Sequence, residues 1–112
     1  MRQKIYQIDA FTNQTFGGNP AAVCILDSWL NPELMQKIAQ ENNLAETAFA
    51  VKKDELYEIR WFTPEVEVDL CGHATLATAF VLFHFYELKK NTIQFYSGRS
   101  GNLTVNKANN GW

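Results

Sequence analysis

The sequence feature that most constrains the fold is a nearly continuous apolar stretch over residues 72–88. On a helix its side chains cover almost the whole circumference, whereas a surface helix keeps one polar face. The stretch is too short to span a bilayer, which needs about 20 apolar residues, and it contains Thr75, Thr78 and His84. It therefore predicts a central helix enclosed by the rest of the protein, and no membrane span.

Strand-like segments on both sides of this stretch supply the structure that would enclose the helix. Residues 46–52 and 57–62 each alternate between two sets of side chains, and the charged turn at 53–55 joins them into a hairpin. We expect an α+β fold, with a curved, mostly antiparallel sheet or barrel around a buried central helix, in one domain covering residues 1–112. Further strands are expected at residues 4–11, 21–26, 65–69, 92–96 and 102–106.

A second, amphipathic helix has clear start signals. Asn31 suits the N-cap, Pro32 the first helical position, and Glu33 the positive end of the helix dipole. Two asparagines, at residues 42–43, end it. Its apolar stripe, which predicts packing against other structure, is formed by Met35, Ile38 and Ala39.

Charge and cysteine content exclude several classes of protein. The net charge of −2 argues against a nucleic-acid-binding surface, which normally carries a clear basic excess. The two cysteines, Cys24 and Cys71, are too few for a disulfide framework, and the N-terminal segment does not have the pattern of a secretory leader. We therefore expect a cytoplasmic protein without a nucleic-acid partner.

The start of the central helix, residues 71–75, is the first candidate site. Helix-start amides and the helix dipole attract a carboxylate or a phosphate. Gly72 lets a ligand approach the backbone, His73 can donate a hydrogen bond or move a proton, and we expect the helix start to lower the pKa of the Cys71 thiol. In the alternative interpretation, Cys71 is a small buried apolar residue and His73 only caps the helix.

Glu46 is the second candidate, because it opens an otherwise apolar strand and shares a face with Ala48 and Ala50. Apolar surroundings disfavour the charged form of a carboxyl group, which suits a residue that takes and returns a proton near neutral pH. The alternative is a solvated charge at the end of a strand. The residue pattern alone leaves both interpretations open.

A glycine-containing loop at residues 16–20 is the third candidate. It lacks the lysine of a Walker motif and the spaced glycines of a dinucleotide-binding loop, so a plain tight loop is the alternative. If the loop reaches a ligand, Asn19 is its natural polar contact.

A metal site is not expected. The cysteines and histidines lack the spacing of zinc ligands. Strand alternation places Glu65, Glu67 and Asp69 together on a solvated face, which accounts for these three carboxylates without a metal ion.

Five segments together carry a family signature: residues 9–12 (DAFT), 16–23 (FGGNPAAV), 43–49 (NLAETAF), 60–64 (RWFTP) and 67–77 (EVDLCGHATLA). In this order and at this spacing they resemble the phenazine-biosynthesis PhzF-like family, which has the diaminopimelate-epimerase fold. The chain resembles the N-terminal half of such an enzyme. The resemblance implies two similar halves, each a barrel-like sheet around a central helix, with this chain as the first.

The resemblance also implies a cofactor-independent isomerase or epimerase that moves a proton between carbon atoms of a small carboxylate-bearing substrate. In such enzymes the glutamate matching Glu46 moves the proton, the histidine matching His73 lies in the same cleft, and helix-start amides hold the substrate carboxylate. Glu46 and His73 are thus implied as catalytic residues, without a metal or an organic cofactor. The implied substrate contacts are Asn19, Cys71, Gly72, Ala74 and Thr75.

The resemblance further implies a cleft between two halves, so that this chain alone has an incomplete site. Two other hypotheses stay open. One is a non-catalytic module that binds small carboxylates, and the other is a homodimer that rebuilds a two-half cleft with two copies of Glu46. The expected partners are therefore a small carboxylate, a missing second half or a second copy of the chain.

Overall fold

The computed structural model describes residues 4–8 and 20–107. Every strand and helix that the sequence predicts is present in this part of the chain, and a π-helical segment, Leu82–Tyr86, continues the second helix. In chain order the elements are β1 (Tyr6–Ile8), β2 (Ala21–Leu26), α1 (Pro32–Asn42), β3 (Glu46–Lys53), β4 (Leu56–Phe62), β5 (Glu67–Val68), α2 (Gly72–Val81), β6 (Thr92–Ser97) and β7 (Gly101–Asn106).

The strands form a single sheet in the order β1-β2-β3-β4-β6-β7, and β5 pairs with the end of β4. The pairs β2–β3 and β4–β6 are parallel, and the other four are antiparallel. The mixed α+β fold with a mostly antiparallel sheet is thus confirmed.

The sheet is open over the described residues, so the barrel that the sequence offered as an alternative is wrong. A barrel requires strand pairing that continues around the whole ring. Here β1 and β7 stand at opposite ends of the strand order. In addition, β4 and β6 pair at only two positions, Tyr57 with Phe95 and Glu58 with Tyr96. Beyond these positions the two strands separate.

The alternation that the sequence predicts along β3 sends its side chains to two different cores. Ala48 and Ala50 pack in the core that contains α2, whereas Phe49 and Val51 pack in the core that contains α1. One helix therefore covers each face of the central strands, and β2 is buried between them with almost every residue inaccessible.

Helix α1 begins and ends where the sequence predicts. The side chain of Asn31 accepts a hydrogen bond from the amide of Leu34, and Pro32 occupies the first turn. Asn43 adopts the left-handed conformation with φ of 53° and its amide bonds to the carbonyl of Ala39. Met35 and Ala39 are fully buried against the sheet.

Helix α2 differs from its prediction, because one side of it is not enclosed by the residues that the structure describes. The regular helix ends at Val81, and the π-helical segment carries the chain to Tyr86. Leu76 of α2 is 40% exposed, since the described part of the sheet covers α2 from one side only. Leu88, which the sequence placed in the same helix, lies beyond the π-helical segment and is 66% exposed. Within the described residues, no helix is both long and apolar enough to cross a bilayer.

Phe49 and Phe85 make a matched test of this core. Phe49 is fully buried between β3 and α1, so Phe49→Ala should lower the free energy of unfolding by about 3–5 kcal/mol. The ring of Phe85 is 57% exposed, so Phe85→Ala should cost less than about 1 kcal/mol. Urea denaturation followed by tryptophan fluorescence measures both, and equal losses would contradict this description of the core.

Candidate functional site

Glu46 is the first residue of β3 and pairs with Ala21, the first residue of the parallel strand β2. Strand alternation places its side chain on the same face as Ala48, which packs toward α2. The Oε1 atom of Glu46 is buried and has no hydrogen-bond partner among the described residues. Because burying an unpaired carboxylate oxygen is costly, such an atom points to a functional role rather than a stabilising one.

Among the described residues, the N-terminus of α2 is open around Gly72. The amide of Thr75 makes the first backbone bond of the helix, to the carbonyl of Cys71 at 3.0 Å. The three preceding residues, Gly72, His73 and Ala74, present their amides at the helix end. A Cβ built on Gly72 would meet no atom within 4 Å, so a small ligand has room to approach the backbone there.

Cys71 links the carboxylate to the helix start. Its thiol is close enough to the Glu46 carboxylate and to the amides of Ala74 and His73 for these groups to affect its pKa, although it forms no capping hydrogen bond. The structure thus places Glu46 near Cys71 at the start of α2, and the site roles expected of these residues stay predictions.

The expected lowering of the Cys71 pKa is wrong. Burial raises the pKa of this thiol most strongly, and the charge of Glu46 and a hydrogen bond to it raise the pKa further. The amides of Ala74 and His73 lower it, but they do not outweigh burial. Cys71 is therefore a protonated thiol at neutral pH rather than a ready nucleophile.

Thr75 holds the helix start in place from inside the protein. Its buried hydroxyl donates to the carbonyl of Cys71 at 2.8 Å and accepts from Nε1 of Trp61, on β4, at 2.9 Å. The side chain thus ties α2 to the sheet, and the substrate contact expected of Thr75 stays a prediction.

The structure describes the remaining predicted site residues in less detail. His73 is half-buried on the first turn of α2, close to Cys71, and Ala74 is fully buried, so that it can offer a ligand only its amide. Asn19 lies outside the described residues, and its contact stays a prediction.

The segment that leads into α2 is fastened by the turn between β6 and β7. Arg99 donates to the carboxylate of Asp69 at 2.9 Å, and the hydroxyl of Ser100 donates to the carbonyl of the same residue. Arg60 donates twice to Glu67, each time at 2.8 Å. These anchors position the helix start from outside.

The solvated face expected for three carboxylates is therefore wrong for Glu67, whose side chain is only 14% exposed. Its partners, Arg60 and Arg99, lie on β4 and on the turn after β6. The sequence contains both arginines but gives no local signal of the pairing. Asp69 stays largely exposed, and among the described residues no cluster could hold a metal ion.

A cavity of about 330 Å³ lies apart from Glu46, where β4 and β6 diverge. Its polar side chains bond to one another: Trp29 donates to Glu58 at 2.7 Å, and Arg60 stacks 5.7 Å from the Trp29 ring. Arg99 at its edge pairs with Asp69. These side chains are engaged in contacts that stabilise the fold. Glu46 and the start of α2 therefore remain the candidate site.

Comparison with solved structures gives the class of fold. A PhzF family protein from Enterococcus faecalis superposes with a TM-score of 0.90 at 56% identity, covering 97% of this chain and 42% of that one. A protein of Pseudomonas aeruginosa named as a predicted epimerase superposes with a TM-score of 0.76 at 26% identity, covering 98% and 40%. The fold is thus that of one part of a PhzF-type protein.

Comparison of sequences gives the family. Residues 8–111 match the family model of phenazine biosynthesis-like proteins (PhzC-PhzF). An uncharacterized isomerase of P. aeruginosa is 57% identical over 107 residues, which is 96% of this chain and 41% of that protein. The human phenazine biosynthesis-like domain-containing protein is 46% identical over 119 residues, covering 99% and 41%.

The chain belongs to the phenazine biosynthesis-like (PhzC-PhzF) family, as the five sequence segments predict. Some of its relatives carry the name isomerase. The chain spans about two-fifths of the length of the relatives it matches.

Substitutions of Thr75 test its anchoring role. Thr75→Val keeps the shape of the side chain but leaves the indole N–H of Trp61 without its acceptor, which should cost about 1–3 kcal/mol of unfolding free energy. Thr75→Ser keeps the hydroxyl and should cost less than about 1.5 kcal/mol. Thermal denaturation compares the two, and a valine variant at least as stable as the serine variant would exclude the anchoring role.

The pair Arg60–Glu67 predicts a pH dependence of stability. Two hydrogen bonds from Arg60 hold the pKa of Glu67 below its ordinary value, although burial opposes them. Because the folded-state pKa is the lower one, the pair stabilises the fold above the unfolded value of about 4.3 and is lost as pH falls through the folded pKa. Melting temperatures recorded between about pH 3 and pH 6 should therefore vary less in Glu67→Gln than in the unmodified chain.

Glu65→Gln is the matched control, because Glu65 is an exposed carboxylate on the same segment. This variant should retain the acid sensitivity of the unmodified chain. If Glu65→Gln and Glu67→Gln flatten the pH dependence to the same extent, the ion pair is not its source.

Proposed function

We propose that the chain forms part of the catalytic cleft of an isomerase that moves a proton between carbon atoms of a small carboxylate-bearing substrate. The observation that carries this proposal is the buried, unpartnered Oε1 of Glu46 beside the start of α2. Membership of a family that includes named isomerases supports it.

The start of α2 is the proposed binding point for the substrate carboxylate. The amides of Gly72, His73 and Ala74 provide donors, and the positive end of the helix dipole favours an anion. The open space at Gly72 admits the ligand to the backbone. Bound there, the substrate places a neighbouring carbon within reach of Glu46.

Glu46 is the proposed proton carrier. Its carboxylate takes a proton from a carbon atom next to an electron-withdrawing group, and the C–H electron pair passes into the conjugated system of the substrate. The carboxylic acid then returns a proton to a different carbon on the same face of the substrate, and Glu46 regains its original state. His73, on the first turn of α2, is the proposed second polar group beside the reacting atoms.

Proton movement of this kind needs no electron donor or acceptor. The substrate and the product have the same composition, because one proton is removed and one is returned, and the carboxylic acid exchanges its proton with solvent between the two steps. We therefore propose a reaction that depends on no metal and no organic cofactor.

A second structural unit is proposed to complete the cleft. The side of α2 that carries Leu76 and the residues around Phe85 and Leu88 are exposed although they are apolar, a pattern typical of a surface that is covered by a partner. Relatives have more than half of their length outside the region matched here. We propose that this additional part covers the surface, and that a second copy of the chain is the alternative cover.

The test joins this chain to the remaining part of the P. aeruginosa isomerase and measures deuterium uptake from solvent into small carboxylates, beginning with a dihydro-hydroxyanthranilate-type compound. Glu46→Gln keeps the size of the side chain but removes the base, and should reduce uptake by at least about 100-fold. Glu41→Gln, an exposed change on α1, should leave uptake unaltered. Undiminished uptake in Glu46→Gln would exclude the proposed role.

A further inference from the structure

The turn between β6 and β7 is bonded to the short connection, residues 69–71, that leads from β5 into α2. Arg99 on this turn donates to the Asp69 carboxylate at 2.9 Å, and the Ser100 hydroxyl donates to the Asp69 carbonyl. We infer that Arg99 is a positioning residue for the start of α2, and that its contact with Asp69 sets how tightly the helix-start amides hold a carboxylate. The effect on a carboxylate rests on the proposed function, whereas the effect on the helix start does not.

The connection depends on these contacts because burial and strand pairing hold it weakly. Strand β5, which precedes it, pairs with β4 at only two positions. Leu70, in the middle of the connection, is 54% exposed, so burial of its side chain contributes little there. Asp69 lies two residues before Cys71, the N-cap of α2, and is bonded to the turn through both its carboxylate and its carbonyl. A displacement of Asp69 therefore moves the first turn of the helix.

The turn that carries Arg99 is organised by its own hydrogen bonds. The buried hydroxyl oxygen of Ser97 accepts from the amide of Arg99 at 3.1 Å and from the amide of Ser100 at 3.3 Å. Gly101 follows with φ of 85°, a conformation that favours glycine. The cavity of about 330 Å³ borders Ser97 and Arg99, so on that side hydrogen bonds rather than close packing fix the turn.

Arg99 should affect the position of the connection more than the overall stability. Its side chain is 50% exposed and that of Asp69 is 79% exposed, and water screens ion pairs of this kind, so that they stabilise a fold only slightly. Its second partner, Glu67, lies 3.6 Å away and accepts two hydrogen bonds from Arg60, so it stays paired without Arg99. Variants of Arg99 should therefore fold, and their effect should be confined to the segment that leads into α2.

Amide hydrogen exchange in the 112-residue chain tests the effect on the helix. Thr75 donates the first backbone hydrogen bond of α2, so its exchange rate reports opening of the helix start. Arg99→Gln should accelerate exchange at Thr75 roughly two- to fivefold and leave the amide of Ala39, in α1, unchanged. Lys89→Gln removes the same charge beyond the other end of the helix and should accelerate neither. An unchanged rate at Thr75 in Arg99→Gln, or an equal acceleration at Ala39, would overturn the inference.

Kinetics of the chain joined to the remaining part of the P. aeruginosa isomerase test the effect on a carboxylate. With the dihydro-hydroxyanthranilate-type compound, Arg99→Gln should raise KM roughly tenfold and lower kcat less than about threefold, because the helix start holds the carboxylate equally before and during the reaction. Arg99→Lys should recover part of this loss, since a lysine can still pair with Asp69 but lacks the forked geometry of arginine. Lys89→Gln should leave both constants unchanged.

The effect of Asp69 separates positioning from simple attraction of the substrate anion by Arg99. Asp69→Ala breaks the same contact, so it should raise KM as Arg99→Gln does, and the double variant should be no worse than either single one. If Arg99 acted only through its charge, removal of the negative charge of Asp69 would lower KM. A lower KM in Asp69→Ala, or effects that multiply in the double variant, would exclude the positioning role.

The inference and the proposed function fail in different ways. If Arg99→Gln accelerates exchange at Thr75 but the joined protein takes up no deuterium, Arg99 positions the helix start and the isomerase proposal is wrong. If deuterium uptake depends on Glu46 while exchange at Thr75 is insensitive to Arg99, the isomerase proposal stands and the positioning role of Arg99 is wrong.

Discussion

The packing of α2 against an alanine-rich face of the sheet is the interaction on which the rest of the structure depends. Ala48 and Ala50 on β3 meet Ala74 and Ala77 on the helix, and all four are essentially inaccessible to solvent. Small side chains on both surfaces allow a close approach of helix and sheet. The same approach sets the distance between the helix start and Glu46, since that residue precedes Ala48 on the same face.

Much of this architecture could be predicted from local patterns. The alternation in residues 46–52 fixes which side chains of β3 face each helix, and the capping residues Asn31 and Asn43 fix the ends of α1. These signals arise within a few residues of where they act. The open edge of the sheet depends instead on which distant strands pair, and a composition that is apolar all round cannot show which side of α2 is left uncovered.

The candidate site, too, could be predicted only as far as local sequence signals reach. Its approximate location follows from two sequence segments, one with a carboxylate opening an apolar strand and one with glycine at a helix start. The chemical state of Cys71 does not follow, because a helix start and a buried position act in opposite directions on a thiol, and only packing shows that burial prevails. Likewise, the pairing of Glu67 with Arg60 depends on how β4 and β5 meet, and its second partner, Arg99, lies on a turn about 30 residues later, too far away for spacing to reveal.

The hydrogen bond from the Ser100 hydroxyl to the Asp69 carbonyl has a consequence for folding during synthesis. The two residues are separated by 31 positions, so a chain emerging from the ribosome cannot fasten the entrance of α2 until the last hairpin of the sheet has left the exit tunnel. Glu46 and the helix can meet before that moment, but in a looser arrangement. The contacts that hold the entrance of α2 are therefore completed only after Ser100 has been synthesised, well after the helix itself.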